Sequence, residues 1–164
     1  MIIMKMKAIN GFFGKFRWLS NFWYLKFPII YDDKEYKTVE HAYQAAKMVT
    51  EKHKNAIRNS NTPGQAKRLA RKFPIRKDWD EIKFDIMKKL VKQKFLKNQD
   101  LKRKLLATRN AYIEETNQWG DTYWGVCRNK GENNLGKILM LVRDEINQNI
   151  TINYANYLHE IKSI

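Results

Sequence analysis

The chain has one cysteine, three histidines, three prolines and seven glycines among its 164 residues. A single cysteine excludes a disulfide framework, and with so few histidines it also excludes a zinc site built from Cys and His pairs. So little Pro and Gly leaves no room for a collagen-like repeat or a long flexible linker. No run of about 20 apolar residues exists to span a bilayer. The opening Met1-Ile2-Ile3-Met4-Lys5-Met6-Lys7 is too short and too soon charged for a secretory signal. The motifs H-E-x-x-H, G-x-S-x-G and G-x-G-x-x-G do not occur. These absences lead to the expectation of a cytoplasmic protein with no metal, no cofactor and no membrane partner.

Acidic side chains are scarce too: 17 Asp and Glu stand against 32 Lys and Arg, a net charge of +15. The excess is uneven, because residues 67 to 109 carry 16 basic and 5 acidic side chains, a net of +11. Such a stretch either gathers phosphates, nucleic acid or anionic lipid, or is simply a solvated Lys-rich helix face. What the chain has in plenty is apolar material, 43% hydrophobic and 13% aromatic. A domain of this length hides roughly 70% of its unfolded surface, so one well-packed core is expected.

The pattern along the chain is mainly helical. Residues 1 to 9 alternate loosely as a first strand that ends at Asn10-Gly11, and residues 22 to 31 read as an edge strand or a short pair interrupted by Pro28. Tyr31-Asp32-Asp33-Lys34 is a turn. Thr38 is an N-cap for a helix expected to run to about Lys54, with Val39, Ala42, Tyr43 and Ala46 as its apolar face. Thr62-Pro63-Gly64-Gln65 is a helix start, with a capping Thr and Pro at the first helical position. Further helices open at Asp78 or Asp80 and at Asn98 or Asp100. Residues 112 to 116 read as a strand, and Leu135, Ile138, Leu139, Val142 and Ile146 form the stripe of a last helix. After it comes a polar, ambiguous tail over residues 149–164.

Several groups of residues carry chemistry. At 100° per residue, Glu40, Gln44 and Lys47 fall within about 60° of one another, a polar stripe beside the apolar face. Glu40 in the first turn is favoured as a carboxylate by the helix dipole, which suits electrostatic stabilisation, base or nucleophile work; the same spacing also describes an ordinary surface network. His41 points away from that stripe and reads as a packed or capping residue. In Trp119-Gly120-Asp121-Thr122-Tyr123-Trp124-Gly125, a lone carboxylate among aromatic rings is either a general acid or base or the pivot of an Asx-turn. Gly131-Glu132-Asn133-Asn134-Leu135-Gly136-Lys137 matches the start of a phosphate loop. Ile138 then stands where Ser or Thr is needed for magnesium, and Glu132 repels phosphate, so a nucleotide triphosphatase is excluded. A helix beginning at Leu135 would still offer N–H groups to an anion. Cys127 has no His or Asp near it in sequence.

Taken in order, Phe13-Gly14, Leu19-Ser20-Asn21-Phe22, Glu40-His41-Ala42-Tyr43-Gln44 with Lys47, Trp79-Asp80, Met87, Lys94-Phe95, Leu105-Leu106-Ala107-Thr108, Glu114-Glu115, Asp121 with Trp124-Gly125, and Asn134-Leu135-Gly136-Lys137-Ile138-Leu139-Met140 resemble the NADAR, or YbiA-like, family. The resemblance spans about residues 11 to 143. It implies an α+β, mainly α-helical fold with a few short strands, forming one compact domain over residues 1–164 with its core at about 11–143. It further implies N-glycosidase chemistry on a phosphorylated ribosyl compound, either an early riboflavin-pathway intermediate or an ADP-ribosyl adduct of guanine. By the same resemblance Glu40 and Asp121 are the acid and base candidates. Lys47 is then a polar contact or an amine that attacks the sugar C1. Ser20, Asn21, Phe22, Gln44, Trp79, Lys94, Trp124, Asn133 and Gly136 are the expected substrate contacts.

Departure of a nitrogen base from ribose leaves positive charge on C1 and the ring oxygen. A carboxylate facing that charge stabilises it, an acid protonates the departing nitrogen, and aromatic rings can hold the freed base. Glu40 as stabiliser and Asp121 as proton carrier is the expected division. The competing expectation is a basic nucleic-acid-binding domain without catalysis, using residues 67–109.

Overall fold

The computed structural model describes residues 8–162, so the expected strand over residues 1 to 9 lies outside it except for its end. That end is β1 (Ala8–Asn10), which runs parallel to β4 (Tyr112–Glu114) with Ile9 opposite Ile113, both fully buried. The chain then makes a 3-10 turn over Gly14–Leu19 that buries Trp18 and Leu19. Residues 22 to 28 are not a strand. Pairing begins only at β2 (Ile29–Tyr31), which returns through the Asp32-Asp33 turn to β3 (Lys34–Tyr36). Both aspartates have positive φ, 48° and 58°, as a two-residue hairpin turn of this hand requires. Just before the pair, the Phe27 backbone is taken by a side chain instead of a strand: its N–H donates to Asn98 Oδ1 and its carbonyl accepts from Asn98 Nδ2, both at 3.0 Å, and Pro28 follows with no N–H to offer.

The centre of the molecule is α1 (Val39–Ala46), every residue of which is buried, polar ones included. Thr38 caps it, its Oγ1 accepting from the His41 N–H at 3.1 Å. The helix does not continue to Lys54. It ends at Ala46, the Lys47 carbonyl accepts from the Arg76 N–H at 2.9 Å, Met48 bridges to Ile75, and Thr50 starts α2 (Glu51–Arg58) with a cap of its own. Thr50 is a good N-cap and follows the β-branched Val49, so the local sequence favours a fresh start over continuation. The break places Lys47 at the C-terminal end of α1.

The start at Thr62 and Pro63 opens α3 (Pro63–Ala70). Then come α4 (Trp79–Lys97) and α5 (Gln99–Ala107). Two further short strands, β5 (Thr116–Asn117) and β6 (Val126–Cys127), pair in parallel within the glycine-punctuated region. The last helix, α6 (Asn134–Lys162), packs on α4 and β4. It runs on unbroken through the tail that the sequence left ambiguous, and residues 147–161 are all exposed. One buried cluster joins α1, α4, α6 and the middle of the β1–β4 pair, through Ile9 and Ile113. Among the described residues no helix is long and apolar enough to cross a membrane.

Candidate active site

A cavity of about 660 Å³ opens where α1 meets α3, the loop after the 3-10 turn, and the segment following β4. Its lining falls into three chemical groups. Glu40, Glu115 and Asp121 supply carboxyls; Lys47, Lys67, Arg68 and Arg71 supply cations; Phe12, Phe13, Phe22, Tyr43, Trp119 and Trp124 supply rings. Ser20, Asn21, Gln44, Gly64, Met87 and Thr116 complete the wall.

α1 sets the first of these. Glu40 is buried, its Oε1 accepts from Gln44 Nε2 at 2.7 Å, and its backbone N–H donates to the Asn21 carbonyl at 3.0 Å. Burial drives the Glu40 carboxyl upward; the Gln44 amide and the Lys67 and Lys47 charges act against that, while the Asp121 charge adds to it. Lys47 Nζ sits over the ring of Tyr43, 4.7 Å from its centroid, and 5.7 Å from Trp79. Burial lowers its pKa, the Glu40 carboxylate opposes this, and Lys67, Arg71 and Lys83 reinforce it. Tyr43 is packed between Trp79 (5.0 Å) and Trp124 (5.5 Å), and its hydroxyl accepts from Trp124 Nε1 at 3.2 Å. Buried there, the phenol is pushed well above its usual range and stays neutral.

The opposite wall is a loop held by its own hydrogen bonds. Asp121 Oδ1 accepts from the Trp124 N–H (2.8 Å) and the Tyr123 N–H (3.2 Å), the Asx-turn pattern, while Asn117 brackets its backbone on both sides. Asp121 is therefore a turn pivot and a cavity residue at once. Asn21 is buried with its Oδ1 unpartnered and its amide donating to Met87 Sδ at 3.4 Å.

Eight of the residues singled out from the sequence line this cavity: Ser20, Asn21, Phe22, Glu40, Gln44, Lys47, Asp121 and Trp124. Four do not, for separate reasons. Trp79 is buried behind Tyr43. Lys94 is fully buried and donates to the Ser20 carbonyl at 2.9 Å, so it supports the loop from beneath, with burial lowering its pKa to about 7. Asn133, with φ 54°, joins β4 to the start of α6, accepting from the Glu115 N–H (3.0 Å) and donating to the Ile113 carbonyl (2.9 Å). Gly136 lets α6 approach β4, since a Cβ there would lie 2.2 Å from the Ile113 oxygen. The expected free N–H groups at this helix start are spent as well: those of Asn134 and Leu135 donate to the Tyr123 and Trp124 carbonyls. His41 is fully buried, its ring between Thr38 Oγ1 (2.8 Å) and the Ser60 carbonyl (3.1 Å), away from the cavity.

Sequence reasoning missed Glu115 and the basic wall as site residues. Lys67 and Arg71 are spaced i, i+4 on α3 and its C-cap, about 100° round the helix from the buried Ala66 and Ala70, so a helical wheel would have placed them together on a basic face. The rest of the 67–109 stretch is partly neutralised: Lys88 and Lys92 pair with Glu145, Lys83 with Asp80, and Arg76 with Asp78. Among the described residues no ion pair is made by Lys67, Arg68 or Arg71. No three His, Cys, Asp or Glu side chains among the described residues are grouped as metal ligands.

Burial, then the charges of Asp121 and Glu40, raise the Glu115 carboxyl from 4.5 to about 7, with Lys67 opposing. The folded state thus binds this proton more tightly than the unfolded chain does. Its contribution to stability is full below pH 4.5 and is lost as pH rises toward 7. In urea unfolding, Glu115→Gln should match wild type near pH 4.5 and exceed it by roughly 1–3 kcal/mol at pH 8. A variant no more stable than wild type at pH 8 would contradict the buried-acid environment.

The NADAR domain family model matches residues 11–147. The N-glycosidase YbiA of Escherichia coli strain K12 is 38% identical over 147 residues, covering 88% of each chain. The N-glycosidase Npun_R5314 of Nostoc punctiforme is 42% identical over 120 residues, 70% of this chain and 76% of that protein. The NMR structure of the E. coli protein YbiA superposes with a TM-score of 0.79 at 34% identity, over 91% of this chain and 90% of the other.

Proposed function

The chain belongs to the NADAR domain family, and from that premise we propose how and on what it acts. It is an N-glycosidase, and its substrate is a nucleotide-like small molecule. We assign that substrate a phosphorylated ribosyl group joined to nitrogen: an early riboflavin-pathway intermediate, or ADP-ribose on guanine. The observation that carries this reading is the company of carboxyls, unpaired cations and aromatic rings in one cavity.

Each group has work suited to it. Glu40 faces the positive charge that grows on C1 and the ring oxygen. Lys67, Arg68 and Arg71, which make no ion pair among the described residues, take the phosphate through charge-assisted hydrogen bonds. Phe13, Phe22 and Trp119, which stay 67%, 42% and 67% exposed at the mouth, stack on the base. Asp121 takes the proton of the attacking water. A covalent variant uses Lys47: the neutral amine bonds to C1, the base leaves with its electron pair, and ring opening gives an imine that water hydrolyses. Its lowered pKa over aromatic faces suits an amine that loses its proton.

The test is release of free base and reducing sugar phosphate from the two substrate types, the ADP-ribosyl guanine being offered as nucleotide and within an oligonucleotide. Activity on one of them, lost in Asp121→Asn, is expected. Binding of the oligonucleotide with no cleavage of any substrate would instead favour a non-catalytic nucleic-acid-binding domain. Borohydride added during turnover separates the two routes, since only an imine at Lys47 is fixed as a stable mass increase.

A further inference from the structure

We propose that Glu115 is the acid that protonates the departing nitrogen, an additional catalytic residue that rests on the N-glycosidase reading. Glu115 directly follows β4 and lines the cavity with Glu40 and Asp121. Its backbone is held on every side. The N–H donates to Asn133 Oδ1 at 3.0 Å, and the carbonyl accepts from the Val126 N–H at 2.9 Å and from Asn117 Nδ2 at 3.5 Å. Gly125 packs so tightly on it that a Cβ there would lie 2.2 Å from the Glu115 carbonyl oxygen and 3.2 Å from its Cγ. The side chain leaves a rigid anchor.

Its carboxyl, by contrast, is unsatisfied. Oε2 is buried with no hydrogen-bond partner among the described residues. An ionised carboxylate without donors is costly in such a place, whereas a neutral acid keeps its proton until an acceptor arrives. The two neighbouring carboxyls differ in having donors. Glu40 accepts from Gln44 and lies near the Lys47 and Lys67 charges; Asp121 accepts from two backbone N–H groups. Three carboxyls in one cavity cannot all be ionised without mutual repulsion, and different environments divide the roles of acid and base between them. The charged groups facing Glu115 are Asp121, Glu40 and Lys67; burial and the two carboxylates raise its pKa to about 7 against the opposing Lys67 charge, so a large share of the molecules carry this proton at neutral pH.

The step balances. As the C1–N bond breaks, its electron pair leaves on the nitrogen, which takes the Glu115 proton. The water oxygen bonds to C1 and its proton passes to Asp121. Transfer of that proton from Asp121 to Glu115 through solvent restores the starting state, and one water is consumed.

The test compares Glu115→Gln with wild type on two substrates, the N-riboside 5-phosphate and p-nitrophenyl riboside 5-phosphate, whose phenolate departs without a proton. A general acid contributes about 10²–10⁴-fold, so a loss of about 100-fold on the N-riboside is expected, with less than about 10-fold on the nitrophenyl compound. The fall of wild-type kcat above about pH 7 should also vanish in the variant. Equal losses on the two substrates, or a descending limb that persists in Glu115→Gln, would overturn the assignment. Wild-type protein that cleaves neither compound would instead sink the N-glycosidase reading itself.

Discussion

Glu40→Gln should lower kcat about 1000-fold while KM changes only a few-fold. The substitution keeps the shape of the side chain and removes the carboxylate assigned to stabilise C1 when the sugar becomes cationic. That interaction exists in the transition state and hardly at all in the neutral ground state, so its loss appears in kcat. A thousand-fold is about 4 kcal/mol, the upper end of what removing one preorganised electrostatic partner costs. Glu40 is suited to that part because α1 places it deep in the fold, with Gln44 2.7 Å away and the Asn21 loop pinned to its backbone. The fold itself should not suffer, since a buried carboxyl raised by desolvation is replaced by a neutral amide. Steady-state kinetics beside a melting curve check both halves. Loss of melting temperature together with activity would make Glu40 a structural residue.

The second large effect concerns the cationic wall. Lys67→Ala combined with Arg71→Ala should reduce kcat/KM for a phosphorylated substrate about 100- to 1000-fold, chiefly through KM. Two charge-assisted hydrogen bonds at about 1.5–2 kcal/mol each, the lower part of their usual span, give that range. The dephosphorylated counterpart of the same substrate should lose less than about 3-fold. Both side chains lie on the solvent side of α3, half-buried or exposed, and make no ion pair among the described residues, so removing them disturbs little else. If both substrates suffer alike, the wall holds something other than phosphate.

These residues differ in how legible they were. Thr38 and Thr62-Pro63 announce their helices by cap chemistry that acts within four residues, and both starts are found where the sequence puts them. The stripe Glu40, Gln44 and Lys47 follows from helical periodicity, and all three line the cavity. Apolar periodicity did not show that α1 stops at Ala46: the local signal is the Val49-Thr50 restart, and the contacts that hold the break come from Arg76 and Ile75, far along the chain. Lys94 shows the same limit. The family resemblance makes it a substrate contact, and only the packed structure shows its Nζ donating to the Ser20 carbonyl. Glu115 was hidden for another reason. It sits just past a three-residue strand beside an ordinary Glu114, and its distinction is a lack of donors, a property of surroundings that no local pattern encodes.

The central claim is that Glu40, Lys47 and Asp121 surround one sugar carbon, and crystals soaked with ribose 5-phosphate test it most directly. The sugar should occupy the cavity with C1 within about 3.5 Å of a Glu40 or Asp121 carboxylate oxygen, the distance of a near-attack arrangement. Its phosphate should lie against Lys67 and Arg71, with Lys47 Nζ on the C1 side. A sugar bound with C1 turned toward the α3 cations and its phosphate toward Glu40, or bound outside this cavity, would contradict it.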